Sequence, residues 1–220
     1  LLGFYVSGHP MKPFESIAKA IDTFTGSDWQ KMENREAFRL CGVITGVVKR
    51  ISKRDNKPWA IVTIATNQDT YTLNAFATSY ERCHPELTEG ALVLVEGQVI
   101  RRKDDEVQLA TNTVSPLESA IGKLIRGVTF FISGNGHSCD FIDTLRSELE
   151  GSMGSTPVRV GVMLDDHQAV IAELASSLEW NLNREQLNRL RKHPAVRGLD
   201  MSVAPVETPE PEWKRRRSKR

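Results

Sequence analysis

The sequence predicts a mixed fold, a five-stranded closed β-barrel followed by a small α+β domain and a charged tail. Three observations predict it. Alternating apolar runs crowd residues 38–114, strand and helix patterns alternate over 127–204, and prolines, acids and then bases fill 205–220.

Residues 1–37 read as a helical connector. A turn is expected at Ser7-Gly8-His9-Pro10, with His9 in a structural hydrogen bond. Phe14, Ile17, Ala18 and Ile21 then fall at helical spacing, so one face packs onto another element. From Phe38 the period shortens to that of strands. FRLCGVITGVVKRI, WAIVTIAT, DTYTLNAF, GALVLVEGQVIRR and EVQLATNTV are β-rich and separated by polar turns. TSYERCHPELTEG, between the third and fourth runs, has room for one short helix closed by Pro85 and Gly90. Gly42 and Gly46 interrupt the first strand and Gly97 the fourth, as expected where a strand bends to serve both sides of a closed barrel. Five strands, a helix after the third and bent first and fourth strands describe an OB-fold barrel over 38–114.

Residues 115–126, containing LESAIGKLI, read as an amphipathic linker. The domain over 127–204 starts with the strand GVTFFIS and the loop GNGHSCD. Its first helix, FIDTLRSELEG, aligns Phe141, Ile142, Leu145 and Leu149 on one face and stops at Gly151. VRVGVML and AVIAELA form a hairpin across Asp165-Asp166-His167-Gln168, the extended piece SLEWNL runs into the helix REQLNRLRKH, and GLDMSVA supplies a last strand. The tail from about residue 205 is too polar to order itself.

Net charge is +1, of which the tail contributes +3, leaving −2 on the remaining chain. Electrostatic binding by such a body requires local clustering. No run approaches the ~20 apolar residues of a membrane-spanning helix and the start lacks a secretory signal, so a cytoplasmic location is expected. The opening Leu reads as the start of a piece of a longer polypeptide. Cys41, Cys83 and Cys139 lie far apart without a CxxC pair and read as reduced packing residues.

Two stretches invite a catalytic or metal reading. His137 and Cys139 follow glycines, but spacing fixes no acid or second histidine, and a capped loop is preferred. Asp165, Asp166 and His167 sit on a tight turn whose side chains diverge, which favours a solvated hairpin tip over a metal site. No catalytic or metal residue is assigned.

Nucleic-acid binding has a better basis. A single strand is held by cations that track its phosphates and by aromatic faces that stack its bases. Lys49, Arg50, Lys53, Arg54 and Lys57 crowd the first turn against Asp55 alone, and Trp59 follows at once. Arg101, Arg102 and Lys103 occupy the turn between strands four and five. The two turns are expected at one mouth of the barrel, with Tyr80 as a further base platform. Asp104, Asp105 and Glu106 would repel phosphate, limiting contact there to the Arg101–Lys103 side. Alternation leaves the face used by Trp59 open, and Phe76, ending an apolar strand, reads as packing inward. Taken singly, each basic residue fits a solvated turn equally well.

LLGFYVSGHPM at 1–11 resembles the segment that joins the helix-hairpin-helix region to the OB domain in the alpha subunits of bacterial replicative DNA polymerase III, the C-family DNA polymerases. CGVITGVVKRISKRDNKPWAIVTI at 41–64 is similar to that family's first two strands, although Trp59-Ala60-Ile61 stands where Met-Ala-Phe is common. LNAFATSYER at 73–82 and LVLVEGQVIRRKDDEVQLAT at 92–111 extend the likeness, which covers 1–114 by residue and 115–204 in topology only. The resemblance implies a barrel that guides single-stranded template DNA. It also implies a C-terminal domain, 127–204, that docks a tau-type clamp-loader subunit among other replicase subunits. The family's palm aspartates and their Mg lie upstream and match no residue here, so DNA-directed DNA polymerase activity would belong to the parent protein and no cofactor to this chain. The alternatives are a free-standing OB-fold adaptor for single-stranded DNA or RNA, and an enzyme with an appended barrel, which the missing metal constellation and glycine loop disfavour. The basic tail is compatible with DNA, RNA, an acidic partner surface or a solvated end.

Overall fold

The computed structural model describes residues 8–102, 106–134, 138–150, 152, 154–163, 169–173 and 180–207. Two compact units divide them, one built on 21–117 with residues at both termini, the other on 12–20 and 118–204. The predicted connector is therefore split. A 3-10 turn (Lys12–Phe14) and most of α1 (Glu15–Ile21) belong to the second unit, where Phe14 and Ile17 are buried, and the chain from Ile21 onward belongs to the first.

In the first unit β1 (Ala37–Ile51), β2 (Pro58–Ala65), β3 (Thr70–Ala75), β4 (Leu92–Arg101) and β5 (Val107–Pro116) close in the order β1-β2-β3-β5-β4, with α2 (Ala77–Cys83) between β3 and β4. Closure comes from a short parallel joint, Leu73 opposite Leu109 and Asn74 opposite Ala110, while the other pairs are antiparallel. Alternation decides what faces inward. Ala60, Val62 and Ile64 of β2 and Tyr71, Leu73 and Ala75 of β3 are buried, meeting Phe38, Leu40, Val95, Val99 and Leu109. Each large apolar side chain taken from water there contributes roughly 1.5–3 kcal/mol.

β1 departs from alternation, with 38–44 buried without a break. Its other face is covered by the preceding chain. Thr23 N donates to the Arg39 carbonyl at 3.1 Å, Arg39 N donates to Thr23 Oγ1 at 3.1 Å, and Cys41 N donates to Asp22 Oδ1 at 2.6 Å. Burial pushes the Asp22 carboxyl up to about 7 and the Cys41 thiol higher still. Arg39 bridges further, to Glu96 at 2.8 Å and to the Pro205 carbonyl at 3.0 Å.

The glycine expectation holds with a structural reason. A register shift between Ile44 and Gly46 leaves two residues of β1 opposite one of β2, the signature of a bulge that bends the strand. At Gly97 a Cβ would lie 2.3 Å from the Ala110 carbonyl oxygen and 2.5 Å from the Phe38 ring. At Gly42 it would lie 2.3 Å from an Ile64 methyl. Both strands pass too close to their neighbours for any side chain.

The second unit contains α3 (Leu117–Leu124), β6 (Ile125–Ser133), α4 (Ser138–Leu149), β7 (Val158–Met163), β8 (Ala169–Glu173), α5 (Arg184–Arg191) and β9 (Val196–Val203). The sheet runs β8-β7-β6-β9, with β6 and β7 parallel and joined through α4. Phe141, Leu145 and Leu149 bury one face of α4 as the spacing predicts, whereas Ile142 is only half-buried. Trp180 is fully buried, its indole donating to Gln186 Oε1 at 2.9 Å. Phe14 packs under the Arg184 guanidinium, 4.6 Å from the ring centre. His137, the turn Asp165-Asp166-His167 and the tail beyond Glu207 lie outside the described residues.

Cys41 and Cys83 are buried and Cys139 is exposed, all as free thiols. Among the described residues no three His, Cys, Asp or Glu side chains gather as metal ligands, and no helix is long and apolar enough to cross a membrane.

Candidate nucleic-acid interface

Beyond the bulge, β1 and β2 stay paired as far as the first basic turn. Arg50 faces Trp59 and Lys49 faces Ala60 across this pair of strands. The turn is ordered by its own backbone. Ser52 N donates to the Lys57 carbonyl at 2.9 Å, Asn56 N donates to the Ser52 carbonyl at 2.9 Å, and Asn56 takes a left-handed φ of 54°. The Ser52 hydroxyl holds the Asp55 carboxyl below the usual carboxylate range, so this one acid of the turn stays ionised. Lys49, Arg50, Lys53 and Arg54 are exposed and make no ion pair among the described residues.

Trp59 sits at the first outward position of β2. Because Ala60 is buried and pairs with buried Ala75, the residues just outside that pair both point outward. Trp59 and Phe76 meet there with ring centres 6.2 Å apart and planes inclined by 26°, an offset stack. Phe76 is therefore not the inward-packing residue the sequence suggested, being 38% exposed. The signal was present in the alternation of Tyr71, Leu73 and Ala75, which leaves the next position outward. Directly opposed residues of antiparallel strands share a side, so Arg50 and Trp59 form one row, which Phe76, just past the end of β3, extends through its ring stack with Trp59. Val48, Ile61 and Asn74 form the next, and Gly46, Thr63 and Thr72 a third. A cleft of about 1300 Å³ opens beside the first row, lined by the turn, Trp59 and Phe76 and bounded by Tyr80 of α2. Tyr80 is half-buried, packed on the barrel core with its ring 5.8 Å from His84. Lys57 is exposed but does not line this cleft.

The second basic turn does not share that mouth. β3 places Ala75 next to β2's start and Thr70 next to its end, and the parallel joint with β5 puts Val107 level with the Thr70 end. The β4–β5 turn thus lies at the opposite end of the β2–β3 face from the β1–β2 turn. β1 and β4 run antiparallel, so the turns that follow them leave at opposite ends, a relation that sequence spacing does not display. Arg101 is committed elsewhere as well. Its Nε donates to the Met32 carbonyl at 2.9 Å, its Nη2 donates to the Gln30 carbonyl, and its backbone N donates to Asn34 Oδ1 at 3.0 Å. Arg102 lies 3.6 Å from Glu106, and Lys103 with Asp104 and Asp105 lies outside the described residues.

A family model described as an OB-fold nucleic acid binding domain, of the tRNA anticodon type, matches residues 43–117. Among curated proteins the chain is similar to DNA polymerase III subunit alpha of Caulobacter vibrioides, 26% identical over 151 residues, covering 68% of this chain and 13% of that protein. The same subunit of Halalkalibacterium halodurans is 24% identical over 192 residues, and that of Borreliella burgdorferi 25% identical over 200. Each of these two alignments covers 87% of this chain and 17% of the relative. The chain therefore spans only about a seventh of the length of the curated relatives it matches. Among solved structures, a mitochondrial single-stranded DNA binding protein from S. cerevisiae aligns with a TM-score of 0.32 at 19% identity, over 37% of this chain and 95% of that one.

Proposed function

We propose that the barrel binds an unpaired nucleic-acid strand, with phosphates at the 49–57 turn and bases on the Trp59–Phe76 stack, and that it does so as part of a replicative polymerase alpha chain. The row Arg50, Trp59, Phe76 carries the reading. It joins a cation to two outward aromatic rings at the rim of an open cleft, which is the combination that single-strand binding requires. The far turn is left out of this reading, so the site is one-sided and its affinity modest. That suits a barrel that guides a template strand held mainly by other parts of a larger enzyme.

Polymerase chemistry, with its Mg, would reside in sequence beyond this chain. Alignments that cover 87% of the chain extend past the barrel into the second unit. This supports a second proposal, that 127–204 holds the place of the alpha subunit's docking domain for a tau-type clamp-loader subunit, which co-elution with that subunit tests.

Strand binding is tested by fluorescence anisotropy with a labelled single-stranded oligonucleotide over a salt series. Each phosphate contact adds about 0.7 to the log–log slope. The triple variant Lys53→Ala, Arg54→Ala, Trp59→Ala is expected to lose most binding and to flatten the slope. Unchanged binding in that variant refutes the reading.

A further inference from the structure

At the other end of the β2–β3 face lies a second cleft, of about 490 Å³, whose chemistry is the reverse of the first. By holding the carbonyls of Gln30 and Met32, Arg101 fastens the 3-10 turn Asp28–Lys31 beside the β4–β5 hairpin, and this turn brings Trp29 to the cleft wall. The opposite wall is a chain of amides and carboxylates. Asn74 Nδ2 donates to Gln108 Oε1 at 3.4 Å, and Gln108 Nε2 donates to Glu106 Oε1 at 2.8 Å. Asp69 Oδ2 accepts from Gly26 N at 3.1 Å and from the Tyr71 hydroxyl at 3.3 Å.

Those bonds orient the groups without exhausting them. Asn74 keeps its carbonyl oxygen and one N–H, Gln108 keeps one N–H, and Asp69 keeps Oδ1. The surplus is therefore two acceptors and two N–H donors, beside an indole and two carboxylates. Carboxylates disfavour a phosphate, and a flat aromatic wall with a fixed acceptor next to a fixed donor suits the edge of a base whose exocyclic amino group adjoins an acceptor ring nitrogen. Asn74 also belongs to the row next to Arg50, Trp59 and Phe76, two residues along β3 from Phe76. From Phe76 to Asn74, at the near edge of this cleft, is about 7 Å of strand, a span within the ~4–16 nucleotides an OB fold covers.

We propose that this cleft is a base-selective pocket, in which Asn74 and Gln108 read an amino-bearing base of the unpaired strand whose phosphates rest on the 49–57 turn, with Trp29 as the stacking wall. The proposal rests on the strand-binding reading above and adds to it a preference among bases and a direction along the face.

The test uses the whole 220-residue chain and two labelled homopolymers of equal length, oligo-dC and oligo-dT, which match in ring size and charge. Oligo-dC is expected to bind at least fivefold tighter at fixed salt. The double variant Asn74→Ala, Gln108→Ala is expected to abolish that ratio while leaving oligo-dT affinity and its salt slope unchanged. Equal affinities for the two homopolymers in the parent chain, or a ratio that survives the double variant, overturn the pocket and leave strand binding intact. Absence of binding to either homopolymer overturns both readings. Parallel loss of oligo-dT binding in the double variant also overturns the pocket, because it marks the two amides as general support for the face.

Discussion

Trp59, near the start of β2, and Phe76, just past the end of β3, lie as one offset stack, 6.2 Å apart, on the outer surface of the barrel. Neither ring is deeply buried, so little of the barrel's stability depends on them. Phe76→Ala is expected to weaken single-strand binding by about 1–3 kcal/mol, the range for loss of a stacked base, and Trp59→Ala by a similar amount. The pair acts on a shared ligand, so the double variant is expected to lose less than the sum. Anisotropy titrations checked against unchanged denaturation curves measure this. A full loss in Trp59→Ala with no effect of Phe76→Ala contradicts a shared platform.

Arg101 is expected to matter to folding rather than to strand binding. Its guanidinium supplies charged hydrogen bonds to two carbonyls, and such bonds contribute roughly 1.5–3 kcal/mol each when partly shielded, less where water reaches them. Arg101→Ala should lower the denaturation midpoint while the salt slope of oligo-dT binding stays the same. A drop in slope with no change in stability would assign Arg101 to phosphate instead.

Asp22 makes stability depend on pH in an unusual direction. Burial raises its carboxyl from 3.8 to about 7, so between those values the folded chain holds a proton that the unfolded chain has released. The contribution is complete below about pH 4, is lost as pH rises toward 7, and is flat above that. The total is at most about 4 kcal/mol, at 1.36 kcal/mol per unit. Asp22→Asn keeps an acceptor for Cys41 N–H and cannot ionise, so it should be more stable than the parent at pH 8 and lose the advantage by pH 4. Urea denaturation of both proteins across that range reads the difference, and parallel curves would rule out the effect.

Gly97→Ala is expected to be among the most damaging single substitutions in the barrel, since the added Cβ would meet backbone as well as the fully buried Phe38. Overpacking of this kind costs typically 1–3 kcal/mol and more where backbone must move. Gly122→Ala, in helix α3 with open space around it, is the control and should be neutral or slightly stabilising. Thermal melts of the two variants should separate clearly.

Much of this protein was legible before any coordinates. Alternation and its interruptions at Gly42, Gly46 and Gly97 specified the five strands and the sharp bends, because which residues face inward follows from a period of two. The basic turn 49–57 was equally plain, since five cations in nine positions have nowhere to go but water. What alternation within one strand does not contain is which residues of different strands become neighbours. Only the pairing and packing of strands set Phe76 beside Trp59, carried the β4–β5 turn to the far end of the face, and spent Arg101 on the carbonyls of Gln30 and Met32. Those relations depend on strand order and register, which arise from packing across the whole barrel, so tertiary structure alone decided where the rings, charges and amides of this surface meet.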